Sequence, residues 1–336
     1  MSVALEGLQV SLGKADGDVP LVQDVSFRIA PGQVLGLVGE SGAGKSITAA
    51  ALIGLVAPPV RITAGQLALR GRAVRLEDAA AVRPLRGKEV GFVPQDPFTS
   101  LDPLFPVGDQ LVETLRTHLP LDRAAGRERA LRVLADVGLP SPAERFEHYP
   151  HQLSGGMRQR VAIALALCAE PYLVVADECT TALDVSTQAQ IVSLLARLVE
   201  EHGVSVLLIT HDLGVVGELA TEVAIMYAGR IVERAPVGRL LRAPRHPYTR
   251  ALLEAVPRIG GTTAGALPAI PGTMPRPGEL PSGCAFHPRC PFAAVPDPCA
   301  TDAPVAVQVG ARHRAACHRV ELLTDVTPEQ LRAGAS

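Results

Sequence analysis

The chain has 336 residues, 47% of them hydrophobic and 3% aromatic, and its 32 basic and 34 acidic residues leave a formal charge of -2. That length can bury a sizeable core and suggests about two domains, while near-neutrality argues against a nucleic-acid binder, which ordinarily carries a basic excess. No apolar run approaches the ~18–20 residues that cross a bilayer; the longest, Ala49–Val60, is broken by Pro58 and Pro59. The N-terminus lacks a basic region followed by an apolar one, so a soluble, cytosolic protein without a signal peptide is expected. In a reducing compartment its six cysteines are thiols or metal ligands rather than disulfides.

In chain order, Gln33–Gly39 and Val90–Pro94 read as buried strands, with a helix expected between them at Ile47–Leu55. Helical patterning follows at Val107–Leu119 and Arg127–Val137. Helix and strand then alternate: helix Gly156–Ala169, strand Leu173–Ala176, helix Ser186–His202, strand Ser205–Thr210. Continuous apolar runs such as Leu173-Val-Val-Ala suit a parallel sheet covered on both faces. Eleven prolines from Pro257 to Pro304 exclude long helices and central strands there. There is no internal repeat.

Only three of the basic residues are lysines, Lys14, Lys45 and Lys88. One sits in Gly39-Glu40-Ser41-Gly42-Ala43-Gly44-Lys45-Ser46, which fits G-x-x-x-x-G-K-[ST] between a strand and a helix. Glycines let backbone N–H groups turn toward phosphate oxygens, and the helix N-terminus adds its positive dipole end. Lys45 would reach the β- and γ-phosphates of ATP and Ser46 would ligate Mg²⁺. A second motif, Leu173-Val-Val-Ala-Asp177-Glu178, ends a buried strand in two carboxylates. Alone that pattern is commonplace. Beside a phosphate loop, Asp177 is suited to hold Mg²⁺ and Glu178 to polarise an attacking water.

With these motifs the chain resembles the ATPase subunits of ABC transporters, over about residues 3–235. Leu153-Ser154-Gly155-Gly156-Met157-Arg158-Gln159-Arg160 looks like the signature sequence, a second helix N-terminus able to donate to a γ-phosphate. Gln95 matches the Q-loop glutamine, which also reaches Mg²⁺, His211 the switch histidine, and Asp184 the D-loop. The resemblance implies an α/β P-loop NTPase (ABC ATPase) fold with an antiparallel β subdomain and a helical subdomain at about 96–160. Residues 1–235 would form the nucleotide-binding domain and 236–336 a small irregular C-terminal domain. Two such subunits would sandwich ATP, each phosphate loop facing the partner's signature helix. The chain departs from the pattern at Leu12, where many relatives stack an aromatic on adenine, and at Cys179, where proline is usual; Cys179 reads as packing rather than a redox sensor.

Within that family the chain is similar to the oligopeptide/dipeptide importers, in the first ATPase subunit type. Glu40-Ser41, Pro94-Gln95-Asp96-Pro97, Tyr149-Pro150-His151-Gln152, His246-Pro-Tyr-Thr-Arg-Ala-Leu-Leu and Gly283-Cys-Ala-Phe-His-Pro-Arg-Cys-Pro carry this likeness. It implies peptide import across an inner membrane, from a peripheral position on the cytoplasmic face. The implied partners are a second homologous ATPase, two permeases and an extracytoplasmic solute-binding protein. Nickel importers share much of the core, so they and other small-solute importers are the alternative; a non-transport ABC ATPase is a further one.

Cys284, Cys290, Cys299 and Cys317 fall in the Pro-rich tail, spaced C-x5-C-x8-C-x17-C. Structural zinc sites usually use tight C-x2–4-C pairs, whereas wider thiolate sets suit a [4Fe–4S] cluster, which the resemblance also implies. Zinc and plain thiols stay open as alternatives. Nothing in the sequence places these cysteines near the phosphate loop.

Overall fold

The computed structural model describes residues 2–180, 184–256 and 269–323. Its strands are β1 (Val3–Leu12), β2 (Val19–Ile29), β3 (Val34–Val38), β4 (Val60–Leu69), β5 (Arg72–Arg75) and β6 (Val90–Val93). After a helical stretch come β7 (Leu173–Asp177), β8 (Ser205–Thr210), β9 (Glu222–Tyr227), β10 (Arg230–Pro236), β11 (Val307–Gly310) and β12 (His313–Ala315). They form a four-stranded antiparallel sheet, β2-β1-β4-β5, and an eight-stranded sheet, β11-β12-β10-β9-β3-β8-β7-β6.

The centre of the large sheet is parallel: β3 pairs with β8 and β9, and β7 with β8 and β6. Its strands are apolar throughout because both faces are covered. Val34, Val174, Val206 and Leu208 enter one hydrophobic cluster, while Leu35, Val175, Leu207 and Ile209 enter the other. The period of two along each strand thus divides one apolar run between two cores.

The helical segment packs Val107–His118 and Arg123–Asp136 with Gly155–Leu167. The second begins four residues before the sequence-based expectation, because Asp122 caps it, accepting from the Ala125 N–H. Gly108 lets Phe146 close against the first; a Cβ there would lie 2.2 Å from its ring.

The segment after Pro236 does not stand apart from the core. Its short strand β12 pairs antiparallel with β10, and β11 pairs with β12, so the large sheet continues into the extension. Glu233, 1% exposed, accepts from the N–H groups of Arg245 and His246 and contacts His313 Nε2 at 2.7 Å. Phe286 packs edge-on against Tyr227, with Tyr248 beside both.

His246 caps the helix Pro247–Glu254: its Nδ1 accepts from the Tyr248 N–H. The ring is therefore neutral with the proton on Nε2. Burial pushes its pKa down to about 4, against the opposing pull of Glu233. An unfolded histidine binds protons from about pH 6.5. Stability from this group is thus full above pH 6.5 and lost as pH falls toward 4, by at most about 3 kcal/mol. His246→Asn, which keeps a capping acceptor, is expected to flatten the fall of the urea midpoint across that window. An unchanged slope would refute the assignment.

Candidate functional site

Four strand ends of the parallel sheet converge on one edge, where α/β sheets bind ligands. Gly39 follows β3, Gln95 follows β6, Asp177 closes β7 and His211 follows β8. The phosphate loop leaves β3 tightly: a Cβ on Gly39 would lie 2.3 Å from the Met226 carbonyl oxygen. Gly44 has φ +104°, and the helix Lys45–Leu52 starts there without a side-chain cap. Its first amides are thus open to an anion.

Lys45 is 5% exposed and donates to the carbonyls of Gly39 (2.8 Å) and Glu40 (3.0 Å), folding the loop around its own ammonium. Burial lowers its pKa, opposed by Glu178, Asp177 and Glu40. Ser46 Oγ donates to Asp177 Oδ1 at 3.1 Å. Burial raises the Asp177 pKa, and the Ser46 bond works against that rise. A hydroxyl and a desolvated carboxylate meeting beside a phosphate loop form an oxygen donor set suited to Mg²⁺.

Glu178 takes a left-handed backbone (φ +47°), held by its N–H donating to the Ile209 carbonyl. Such a conformation is costly for a residue with a Cβ and persists where neighbours impose it. Its carboxylate accepts from Gln95 Nε2 at 3.2 Å and lies 3.5 Å from His211 Nδ1. Gln95, Glu178 and His211 thus meet at the edge that carries Ser46 and Asp177.

The remaining sequence-derived residues form a second group. Ser154 caps the helix Gly155–Leu167, accepting from the Met157 N–H. Asp184 caps the helix Val185–His202 through the Thr187 N–H. The two starts touch, since a Cβ on Gly156 would lie 2.7 Å from Thr187 Cγ2. Ala182 and Leu183 of the D-loop lie outside the described residues. Cys179 is buried, which pushes its thiol up to about 12; that environment suits packing and not a reactive thiolate.

The dipeptide transport ATP-binding protein DppD of Escherichia coli is 41% identical over 314 residues, covering 94% of this chain and 95% of that protein. The chain belongs to the ABC transporter family. The ABC transporter family matches residues 22–181, and the oligopeptide/dipeptide transporter C-terminal region matches 232–296. The oligopeptide transport ATP-binding protein OppD of Mycobacterium tuberculosis is 46% identical over 93% of this chain and 51% of its own length. Among solved structures, the dimeric post-hydrolysis state of the ATP-binding cassette MJ0796 bound to ADP and Pi aligns with TM-score 0.61 and 28% identity. It covers 70% of this chain and 98% of that one. As an ABC-type ATPase, the chain takes ATP and Mg²⁺ as its ligands.

Local sequence patterns offer no link between the cysteine-bearing tail and the phosphate loop. The structure corrects that view. Arg289, next to Cys290, forms a two-pronged ion pair with Glu40, and the Tyr248 hydroxyl accepts from the Glu40 N–H. The four tail cysteines carry free thiols, partly or fully buried. Burial pushes Cys317 up to about 12 and Cys290 to about 11, and the neighbouring thiols push the same way. Yet no group of three or more His, Cys, Asp or Glu among the described residues could hold a metal ion.

Proposed function

We propose that the chain is the ATP-hydrolysing subunit of a peptide importer. The meeting of Lys45, Ser46, Asp177, Glu178, Gln95 and His211 at one sheet edge carries the reading. The match of 232–296 to the oligopeptide/dipeptide transporter C-terminal region and the names of the relatives support the peptide branch. In this reading residues 1–235 are the nucleotide-binding domain and 236–336 the extension. Lys45 and the loop amides would hold the triphosphate, and Ser46 and Asp177 would hold Mg²⁺, which would supply charge neutralisation at the phosphates. Glu178 orients the attacking water, with Gln95 and His211 fixing its carboxylate. Ser154, Gly155, Gly156 and Asp184 face the nucleotide of a second, homologous ATPase subunit.

No helix among the described residues is long and apolar enough to cross a membrane. In the proposed reading the subunit docks peripherally, on the cytoplasmic face of two permeases fed by an extracytoplasmic binding protein. The test is reconstitution of the assembled transporter. ATP hydrolysis is expected to rise several-fold when the binding protein is loaded with peptide; equal rates with and without peptide would overturn the peptide reading.

We further propose that Cys284, Cys290, Cys299 and Cys317 hold a [4Fe–4S] cluster. The four cysteines are free of disulfides within one Pro-rich extension, a set of thiol donors of the kind that holds such clusters. The donor environment fits as well: the N–H groups of Ala294 and Arg319 point at Cys299 and Cys317 Sγ, at 3.4 and 3.3 Å. Such amides stabilise thiolate charge.

A further inference from the structure

Glu40 poses an electrostatic problem. It is a carboxylate inside a loop whose other groups are arranged to attract phosphate. Left unpaired, it would repel the triphosphate at close range and in a partly desolvated setting. The extension supplies the answer. Arg289 Nη1 donates to Glu40 Oε2 at 2.8 Å and Nη2 to Oε1 at 3.0 Å, a bidentate pair whose guanidinium side chain is only 5% exposed. Its Nε donates to the Pro271 carbonyl at 2.7 Å, so the fork is fixed from behind. From the same extension, the Tyr248 hydroxyl accepts from the Glu40 N–H at 2.8 Å. Met274 approaches the loop at Gly42, where a Cβ would lie 3.9 Å from its Cγ. Three separated stretches of the extension therefore bear on the first turn of the phosphate loop.

We propose that the extension is a clamp on the phosphate loop of its own chain. Arg289 is its positioning residue: it neutralises Glu40 and turns that carboxylate away from the phosphates. Tyr248 fixes the backbone of the same residue. The main-chain carbonyl of Glu40 stays available to Lys45, so the clamp and the phosphate-facing lysine share one peptide. Arg289 ends the short turn His287–Arg289 between Cys284 and Cys290, so the folding of the tail and the electrostatics of the nucleotide site are linked. The clamp rests on the ATP-site reading above and adds that nucleotide affinity depends on a residue nearly 250 positions away from the loop.

The charge argument gives a signed prediction. In the full-length chain, Arg289→Met is expected to weaken equilibrium binding of a fluorescent ATP analogue about 5- to 150-fold, the range of typical coupling between linked sites. Adding Glu40→Gln to that variant is expected to recover most of the loss, because the unpaired charge is gone. Arg289→Lys, which keeps the charge but not the fork, should fall between wild type and Arg289→Met. A purely structural role would lower the melting temperature of Arg289→Met without rescue of affinity by Glu40→Gln. Unchanged affinity in Arg289→Met, or a double variant as weak as the sum of its parts, would overturn the clamp. A wild-type chain that bound no nucleotide would overturn the ATP-site reading and the clamp with it.

Discussion

Glu178→Gln is expected to stop transport-coupled hydrolysis while ATP still binds. Positioned acid–base groups contribute about 10²- to 10⁴-fold, so turnover in the assembled complex should fall by that factor, about 3–5 kcal/mol of barrier. The amide keeps the shape of the side chain and can still meet Gln95 and His211, which lie 3.2 and 3.5 Å from the carboxylate. It cannot take the charge-assisted hydrogen bond that orients water. Lys45→Ala should behave differently. That change removes a buried ammonium from the loop interior and so weakens nucleotide binding itself. Measuring binding and turnover in both variants separates the roles. Wild-type turnover in Glu178→Gln would remove Glu178 from the reaction.

How far the sequence could be read depends on the range of each signal. The strand Ser205–Thr210 falls where apolar periodicity put it, because a strand buried on both faces has no competing polar pattern. The phosphate loop and the Asp177-Glu178 strand end were legible for a related reason: each motif packs its chemistry into consecutive residues. The convergence of Gln95 and His211 on Glu178 was legible only through resemblance, since the sheet order that joins three strand ends is a tertiary fact.

The Arg289–Glu40 pair was not legible as a pair. A faint signal existed, a carboxylate inside an anion-binding loop, which demands a compensating cation. Sequence does not say which of the many arginines answers that demand. The strands β11 and β12 at the end of the large sheet were missed because each is short, and β12 is stabilised by pairing with β10 rather than by any apolar alternation of its own. Tail and core are thus joined by contacts between residues far apart in the chain, which local patterns do not encode.

On the cluster proposal, Cys290→Ser is expected to cost the protein its iron. Protein purified without oxygen should be brown, with about four irons per chain, and the variant should be colourless. The thiol environments explain why metal would matter to folding. At neutral pH an ordinary thiol is already mostly protonated, and burial with the neighbouring thiols raises Cys290 and Cys317 further, to about 11 and 12. A bound cluster would displace the thiol protons, and the thiolates would be held by metal bonds and by N–H donors such as those of Ala294 and Arg319. The Pro-rich stretch around them offers few large apolar side chains, with Phe286 the main one buried. Binding free energy would then become folding free energy for the extension, on the order of several kcal/mol. Because Arg289 adjoins Cys290, iron loss should also loosen the grip on Glu40 and weaken nucleotide binding in the same direction as Arg289→Met. Iron content, visible absorbance and the unfolding midpoint read the cluster independently of activity. A colourless, iron-free anaerobic preparation that stays folded and hydrolyses ATP normally would refute the cluster and leave the ATP site intact.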